Sequence, residues 1–351
     1  AVAPRLRRDD IIDILLKTAI PLDDTNPDYR GKLGRGKVNS QAAVALAAEK
    51  AKRTIKATLA VSGEAGPPRV WLFNDQGTLI SGFLAYDEAF RGGVRLASGD
   101  VDNDNEVEII TAPGPGVPAQ IRIFEGRGSL KDEFLAFEDK NGVFVAAGNL
   151  VDDQAAEIVV AAGPGSTPRV RVFDHTGQLR SEFLAYDQSF TGGVEVSVGD
   201  TDGDGTAEII TGVHGQGGPH IRIFDWRGNL KGQFFAFEET YGNGVRLGMA
   251  DVGGAVGEEI LVTRGGGETA RLHELRFNGN SWNSILVFAE DQDGPISIAA
   301  RKSTTHVSEL FVAGGKKGQF PLIHGFTPIG ALISSFPVPV ELGTSLHLVT
   351  L

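Results

Sequence analysis

The sequence predicts an all-β protein, a β-propeller of four-stranded blades, with a short α-helical segment at its N-terminus. Four similar segments recur at a spacing of about fifty residues, which is typical of repeat architectures. Short apolar runs rich in Val, Ile and Phe alternate with Gly, Pro, Asp and Asn, as in strands joined by tight turns. Each repeat is therefore expected to be one unit that stacks on its neighbours.

The composition limits the classes of function. The 351 residues include 47 Gly and 16 Pro, as expected for many turns, and no Cys, which excludes disulfides and thiolate metal sites. The net charge of -12, without a stripe of Lys and Arg, argues against a nucleic-acid partner. Because no apolar run is long enough to cross a bilayer, no membrane span is predicted.

Residues 1–51 are predicted to be a separate helical domain, followed by the propeller over 52–351. The stretch IIDILLKTA has apolar residues at helical spacing, with Asp9 or Asp10 as the expected N-cap. Asn39 is the expected cap of a second helix that starts in NSQAAVALAAEKA. These helices carry too few large apolar residues to form a core of their own.

The blades can be counted from the repeats. The unit from Gly92 contains four strand-like runs, GGVRLASGD, EIITA, AQIRIFEG and LKDEFLAFE. Full blades are expected at about 94–138, 143–187, 194–238 and 245–290, with a less regular blade at about 295–338. Residues 57–90 supply only three strands, and GTSLHLVTL from Gly343 is predicted to complete that blade. This gives six blades; seven is the alternative if the natural chain continues past Leu351.

Two acidic loops, GDVDNDNEVEIIT and GDTDGDGTAEIIT, predict calcium sites. Alternate Asp residues bring carboxylates to one side of a curled loop, and calcium prefers six or more oxygen ligands. The predicted ligands are Asp100, Asp102, Asp104, Glu108 and the carbonyl of Glu106 in one loop, and Asp200, Asp202, Asp204, Glu208 and the carbonyl of Thr206 in the other. Position 6, Asn105 or Gly205, favours a left-handed turn. The alternative is a plain acidic turn.

Two further copies of this loop have lost acidic residues. The stretch GNLVDDQAAEIVV keeps Asn149, Asp153 and Glu157, so a weak calcium site or none is expected there. The stretch ADVGGAVGEEILV keeps only Asp251 and Glu259 at the ligand positions, and no ion is expected.

The repeat resembles the FG-GAP/VCBS repeat of integrin α-subunits and of many bacterial surface and secreted proteins. The resemblance rests on the acidic loop, the Gly-Pro-Gly turn, and runs such as PHIRIFD and FFAF, and it covers about 57–351. It implies a calcium-binding propeller that serves adhesion, targeting or ligand display, secreted or at the cell surface of a bacterium. Glu108 and Glu208 depart from the family, in which Asp is usual at this position.

Residues 5–48 are similar to the closing segment of subtilisin-like serine peptidase domains. In that family the catalytic residues lie upstream, and none of the expected motifs occurs in this chain. Gly343, Thr344 and Ser345 spell the serine motif, but they lie in a predicted strand at the far end of the chain and lack the residues that follow in the family. No catalytic residue is therefore predicted, although the parent protein is expected to be a serine endopeptidase.

The favoured hypothesis is a monomeric, non-catalytic binding, adhesion or targeting module at the C-terminus of a secreted subtilisin-like peptidase. Its ligand would be a protein or carbohydrate on a propeller face, with its identity left open. The alternatives are a free-standing adhesin-like propeller and a propeller hydrolase or lyase. The enzyme hypothesis predicts a cluster of acids or histidines at one mouth of the central channel.

Two smaller sets of residues are candidate sites. His214 and His220 flank one turn and could approach a single zinc ion, but we expect them to be solvated turn residues. Arg122, Arg171 and Arg222 recur at one blade position and are expected to stack structurally with neighbouring acids.

Overall fold

The computed structural model describes residues 8–22, 28, 35–45, 58–74, 76–151, 155–253, 256–266, 271–288, 295–301, 308–315, 321–338 and 346–351. The chain forms two compact units, residues 1–56 and 57–351. The predicted domain boundary between residues 51 and 52 lies outside the described residues.

The described residues of the first unit form two short α-helices. Helix α1 spans Arg8–Thr18, and the described part of the second helix, α2, covers 40–45. The side chain of Asn39 accepts the N–H of Ala42 at 3.0 Å, which confirms the predicted cap of α2. Because Asp9 and Asp10 lie inside α1, the predicted N-cap of that helix is wrong. No described helix is both long and apolar enough to cross a membrane.

The described residues of the second unit form six antiparallel sheets of four strands each. Blade 1 contains β1 (Leu59–Gly63), β2 (Arg69–Phe73) and β3 (Leu79–Leu84). Blade 2 contains β4 (Val94–Gly99), β5 (Glu108–Pro113), β6 (Ala119–Phe124) and β7 (Leu130–Phe137). Blade 3 contains β8 (Val143–Gly148), β9 (Glu157–Ala162), β10 (Arg169–Phe173) and β11 (Leu179–Leu184).

The remaining blades follow the same meander. Blade 4 contains β12 (Val194–Gly199), β13 (Glu208–Val213), β14 (His220–Phe224) and β15 (Leu230–Phe235). Blade 5 contains β16 (Val245–Ala250), β17 (Glu259–Arg264), β18 (Arg271–Leu275) and β19 (Ser281–Leu286). Blade 6 contains β20 (Ser297–Arg301), β21 (Glu309–Gly314), β22 (Leu322–Phe326) and β23 (Leu332–Pro337).

The last strand closes the ring. Strand β24 (Leu346–Thr350) pairs antiparallel with β1, with Leu59 opposite Thr350 and Gly63 opposite Leu346. The first strand of each blade contacts that of the next blade, and β24 contacts both β20 and β4. Six blades are thus confirmed. The seven-blade alternative is wrong, because the C-terminal strand completes blade 1 instead of starting another blade.

The hydrophobic core lies between the blades. Six clusters of buried side chains are found, and each joins two adjacent sheets, including the pair formed by blades 6 and 1. The recurring Phe124, Phe173 and Phe224 are each 4% exposed, which confirms their predicted place in the core. Since both faces of a blade are covered, the second strands β5, β9 and β13 are buried along their whole length, whereas the third strands β6, β10 and β14 still alternate.

The hairpin turn between the third and fourth strands requires glycine for a steric reason. Gly128 has a φ of 91°, and a Cβ placed on it would lie 2.4 Å from the ring of Phe83 in the preceding blade. The same contact recurs between Gly228 and Phe183. A glycine at this position lets adjacent blades pack closely.

The recurring arginines link adjacent blades. Arg122, Arg171 and Arg222 donate from Nη1 to the carbonyls of Ala85, Ala136 and Ala185 in the preceding blade, at 2.9, 2.5 and 2.9 Å. The expected acidic partner is found for two of them, as Arg122 pairs with Glu133 at 2.8 Å and Arg171 with Glu182 at 2.5 Å. Their role is structural, as predicted.

Blade 5 breaks the core pattern with a buried acid. Glu274 occupies the position held by Ile123, Val172 and Ile223 in the three preceding blades, and its side chain is fully buried. Both carboxyl oxygens lack a hydrogen-bond partner in the described chain. Burial, together with the nearby charge of Glu259, outweighs the Asn283 contact and raises the pKa of Glu274 from 4.5 to about 7.

Closure by β24 predicts that its buried side chains carry stability. Leu348→Ala should lower the free energy of unfolding by about 2–5 kcal/mol, because Leu348 is 3% exposed in the cluster between blades 6 and 1. Leu332→Ala, at a site 58% exposed, should change it by less than about 0.5 kcal/mol. Urea unfolding followed by circular dichroism measures both, and equal losses would contradict closure by β24.

Glu274 predicts a pH-dependent stability. Since its folded-state pKa lies above the unfolded value, its ionisation destabilises the fold as pH rises from about 4.5 through 7, by up to about 3 kcal/mol. Glu274→Ile should therefore raise the melting temperature more at pH 8 than at pH 5. Glu274→Gln, which cannot ionise, should also remove the pH dependence. An equal effect of Glu274→Ile at both pH values would refute this assignment.

Candidate functional site

The two intact acidic loops join the first and second strands of blades 2 and 4, and each curls around its first aspartate. The carboxylate of Asp100 accepts the N–H groups of Asp104 and Asn105 at 3.0 and 2.8 Å. In blade 4, Asp200 accepts those of Gly203 and Gly205 at 2.7 and 2.9 Å. The φ angles of Asn105 and Gly205 are 66° and 93°, which confirms the predicted left-handed turn.

Three carboxylates converge in each loop. Asp100, Asp102 and Glu108 each offer an oxygen within 4.8 Å of the others, and Asp200, Asp202 and Glu208 form the equivalent group. The carboxylate of Asp104 instead accepts the N–H of Glu106 at 2.8 Å, and Asp204 accepts that of Thr206 at the same distance. Hydrogen bonding from Glu106 holds the pKa of Asp104 below its ordinary value.

A lysine from the fourth strand reaches each carboxylate group. Nζ of Lys131 lies 2.6 Å from Asp102 and 3.0 Å from Glu108. Nζ of Lys231 lies 2.7 Å from Asp202 and 2.6 Å from Glu208. Although partial burial opposes the charge, these contacts raise the pKa of both lysines. One ammonium against five carboxylates in the loop of blade 2, and against four in that of blade 4, leaves each loop negatively charged.

The donor set suits a hard divalent cation. Oδ1 of Asp102 is buried and has no hydrogen-bond partner in the described chain, so this oxygen is left for a further ligand. Carboxylate oxygens with a nearby backbone carbonyl match the ligands that calcium prefers. The ammonium groups of Lys131 and Lys231 contact the same carboxylates that would hold an ion, so each lysine, whose side chain is 22% or 28% exposed, would have to turn toward solvent for an ion to bind.

The glutamate at position 9 also has a structural function. In all four loops it is at most 2% exposed. Its Oε2 accepts the N–H of the residue at position 2: Val101 to Glu108 at 3.1 Å, Leu150 to Glu157 at 2.9 Å, Thr201 to Glu208 at 2.9 Å and Val252 to Glu259 at 3.1 Å. Glu157 and Glu259 make this hydrogen bond in the two loops that lack other acids, so this glutamate holds the loop to its strand whether or not the carboxylate cluster is present.

The two altered loops differ from the intact ones where the structure describes them. Asp153 lies outside the described residues, so the predicted group of Asn149, Asp153 and Glu157 is only partly visible. In blade 5, Asp251 accepts the N–H of Gly253 at 3.1 Å. The groups of three metal-ligand side chains found among the described residues are only those of blades 2 and 4.

The four loops are linked by hydrogen bonds between blades. The carbonyl at position 1 accepts an N–H from the loop of the next blade: Asp100 from Ala156, Asn149 from Ala207, Asp200 from Glu258 and Asp251 from Ser308, at 2.8, 3.1, 2.6 and 2.8 Å. These loops therefore form a continuous belt at one end of the propeller.

A second set of side chains, mostly charged or polar, surrounds the channel at the opposite end of the innermost strands. One residue near the start of each innermost strand pairs with the equivalent position of the second strand of its blade, so these six residues lie at the same level around the channel. The ring consists of Arg95, Phe144, Glu195, Arg246, Ser297 and His347. It lies about 16 Å from the acidic loops, because the innermost strands separate them.

Two residues just after the second strands add to this ring. Glu64 and His214 stand in blades 1 and 4 where the other blades have glycine. Nδ1 of His214 lies 2.8 Å from Glu195, and Nε of Arg246 lies 3.3 Å from the same carboxylate oxygen. Nε2 of His347 lies 3.8 Å from Glu64. We call these eight residues the channel mouth.

The acids of the channel mouth are ionised. Burial alone would raise the pKa of Glu195, but Arg246 and the His214 hydrogen bond lower it below the ordinary value. Burial likewise opposes ionisation of Glu64, and the His347 contact with the charges of Arg246 and Arg95 lowers its pKa strongly. Burial also lowers the pKa of Arg95, an effect that the charges of Glu64 and Glu195 oppose.

The prediction that His214 and His220 are solvated turn residues is wrong, because His220 is the first residue of strand β14 and His214 is bound to Glu195. His220 stacks on Phe235 with ring centroids 4.7 Å apart. The side chain of His214 is 18% exposed and bound to Glu195, so it is not a solvated turn residue. Aligning the six repeats at the position of Arg95 in the innermost strand would have revealed the channel mouth, because the residue type at this position changes from blade to blade.

Comparisons with known proteins support the fold alone. No protein-family model matches the chain, and no curated protein matches it. Among solved structures it is similar to TolB from Acinetobacter baumannii, with 13% identity, a TM-score of 0.55, and coverage of 88% of this chain and 72% of TolB. It is also similar to the BP39L lectin from Burkholderia pseudomallei, with 13% identity, a TM-score of 0.53, and coverage of 81% of this chain and 85% of the lectin. The exotype rhamnogalacturonan lyase YesX matches with 14% identity, a TM-score of 0.40, and coverage of 80% of this chain and 70% of the lyase.

The glutamate at position 9 can be tested in blade 3. Glu157→Leu should lower the free energy of unfolding by about 1–3 kcal/mol, because it leaves the buried N–H of Leu150 without an acceptor. Glu157→Gln keeps an acceptor and should cost less. Exposed Glu138→Leu serves as the control and should be nearly neutral. Chemical denaturation measures all three, and a neutral Glu157→Leu variant would show that the hydrogen bond adds nothing.

Proposed function

We propose that the chain is a calcium-stabilised, non-catalytic propeller that serves as a binding, adhesion or targeting module. The observation that carries this proposal is the convergence of three carboxylates in two equivalent loops, one of them with a buried oxygen that lacks a partner. Bound calcium would neutralise these charges and hold the turn between the first and second strands. It would not take part in a reaction.

The sequence resemblances supply the wider context. The acidic loops and their flanking strands resemble FG-GAP/VCBS repeats, in line with a secreted or cell-surface bacterial protein. The N-terminal segment resembles the end of a subtilisin-like peptidase domain. We therefore propose that the propeller is the C-terminal module of a secreted serine peptidase whose catalytic residues precede this chain, or else a free-standing adhesin-like propeller. A peptidase assay on this chain alone should show no turnover.

A propeller hydrolase or lyase is the second candidate, because one observation favours it. That hypothesis predicts acids and histidines at a channel mouth, and Glu64, Glu195, His214 and His347 are found there. However, neighbouring cations hold both acids ionised, so either could accept a proton but neither is suited to donate one at neutral pH, and these two residues do not form the pair of one carboxylic acid and one carboxylate that glycoside chemistry uses. We therefore favour binding over catalysis.

Calcium is expected to raise the melting temperature. With a dissociation constant of about 10⁻⁴–10⁻³ M, millimolar calcium adds about 0.4–1.4 kcal/mol per site. The double variant Asp102→Ala/Asp202→Ala should lose this gain, while Asp251→Ala, in a loop without the acidic cluster, should keep it. Differential scanning calorimetry with and without calcium measures the effect, with magnesium as the competing ion.

The lysines provide an independent control. The double variant Lys131→Met/Lys231→Met removes the ammonium group from each carboxylate cluster. This variant should therefore bind calcium more tightly than the wild type and should be less stable than the wild type when calcium is absent. If calcium changes neither the wild type nor this variant, the acidic loops are only turns and the proposal fails.

A further inference from the structure

Each intact acidic loop already holds a positive charge at the point where its carboxylates converge. Nζ of Lys131 lies 2.6 Å from Asp102 and 3.0 Å from Glu108, two of the three residues whose carboxylate oxygens come together in blade 2. Lys231 makes the equivalent contacts in blade 4, at 2.7 and 2.6 Å. An ammonium group at this position uses the oxygens that a bound cation would use, and two cations this close repel each other, so both cannot occupy one cluster.

This lysine is found in the two blades whose acidic loops are intact. It is the second residue of the fourth strand, directly after the residue that lies opposite Phe124 in blade 2 and opposite Phe224 in blade 4. The other four blades carry different residues at this position, namely Ile80, Arg180, Trp282 and Ile333. Because the same strand forms without a lysine in those blades, the lysine belongs to the carboxylate cluster and not to the common fold.

Lys131 has a second ionic partner within reach. Oε1 of Glu125, in the turn before the fourth strand of blade 2, lies 3.8 Å from Nζ of Lys131. The side chain of Glu125 is 46% exposed, so this partner lies at the surface. A small rotation of the lysine side chain therefore moves its ammonium group from the cluster to Glu125, and the lysine keeps an ion pair when it leaves.

The equivalent turn of blade 4 is occupied by its own hydrogen bonds. Asp225 stands at the position of Glu125. Its carboxylate accepts the N–H groups of Arg227 and Asn229, at 2.9 Å each, and the side-chain amide of Asn229, at 2.8 Å. The loop of blade 2 also carries one carboxylate more than that of blade 4. Displacing Lys231 should therefore cost more free energy than displacing Lys131.

We propose that Lys131 and Lys231 are tethered competitors of calcium, each of which occupies its carboxylate cluster until the ion displaces it, and that this exchange is easier in blade 2. The propeller thus has two graded calcium sites, and the site of blade 2 fills first. Without the ion, each ammonium group reduces the repulsion among the carboxylates and keeps its loop closed. This inference rests on the proposed function, because it concerns the calcium sites proposed there.

The exchange can be measured on the wild-type chain by the reactivity of its lysines. A paired ammonium group is a poor nucleophile, so calcium should raise the rate at which acetic anhydride acylates Lys131 and Lys231 by about fivefold or more. Exposed Lys140, in the loop that joins blades 2 and 3, should be unaffected. The response of Lys131 should also appear at lower calcium concentration than that of Lys231. Mass spectrometry of the peptides measures each lysine separately.

The outcomes separate this inference from the proposed function. If calcium raises the melting temperature but leaves the reactivity of both lysines unchanged, the exchange is wrong and the calcium sites stand. If Lys231 responds at the same or a lower calcium concentration than Lys131, the grading of the two sites is wrong. If calcium changes neither the melting temperature nor the lysines, the proposed function and this inference both fail.

Variants assign the exchange to single residues. Lys131→Met and Lys231→Met should each raise the calcium affinity of their own loop by about tenfold, measured by isothermal titration calorimetry. Lys140→Met removes the same charge elsewhere and is the matched control, and an equal gain in this variant would overturn the exchange.

The second partner of Lys131 is tested by Glu125→Gln. This variant should weaken calcium binding in blade 2 by about two- to fivefold, because an exposed ion pair is worth little. It should have no further effect in the Lys131→Met background, because the displaced lysine is then absent. An equal loss in both backgrounds would show that Glu125 acts on calcium directly and not through Lys131.

Discussion

Packing between blades is the constraint on which the rest of this propeller depends. Each sheet buries both faces against its neighbours, so no blade is stable without the blades on either side. The same requirement explains the glycine at 128, which leaves room for Phe83, and the arginines at 122, 171 and 222, which reach the preceding blade. Pairing of β24 with β1 completes the ring by joining the two ends of the repeat array.

Repetition made most of the fold predictable from the sequence. Four copies of one pattern fixed the strands, the left-handed turns and the core phenylalanines, and the need to pair strand edges placed the C-terminal strand in blade 1. The cap of α1 was wrongly predicted because Asp9 and Asp10 lie within the helix, where aspartate is less favoured than at a cap but is tolerated. An alignment of the repeats shows Glu274 as an acid at an otherwise apolar position, but only the structure shows that its carboxyl oxygens have no hydrogen-bond partner in the described chain.

The sites were predictable to different degrees. The convergence of Asp100, Asp102 and Glu108 followed from their spacing along one loop, whereas Lys131 enters from a strand more than twenty residues away and was not foreseen. The channel mouth is harder still, since its members are single residues separated by about fifty positions. A search for residues that the repeats share does not find the channel mouth, because this group of residues differs in type from blade to blade.

The belt of hydrogen bonds between the loops couples events in neighbouring blades. Blade 3, whose own loop has lost acids, receives its support from both sides, because the Asp100 carbonyl accepts from Ala156 and the Asn149 carbonyl accepts from Ala207. If calcium binds as proposed, an ion in the loop of blade 2 would order the loops next to it. The loop of blade 4 would then lose less conformational entropy when it binds its own ion, so binding at one loop would favour binding at the other. Degenerate repeats in such a ring can thus transmit cooperativity without holding an ion themselves.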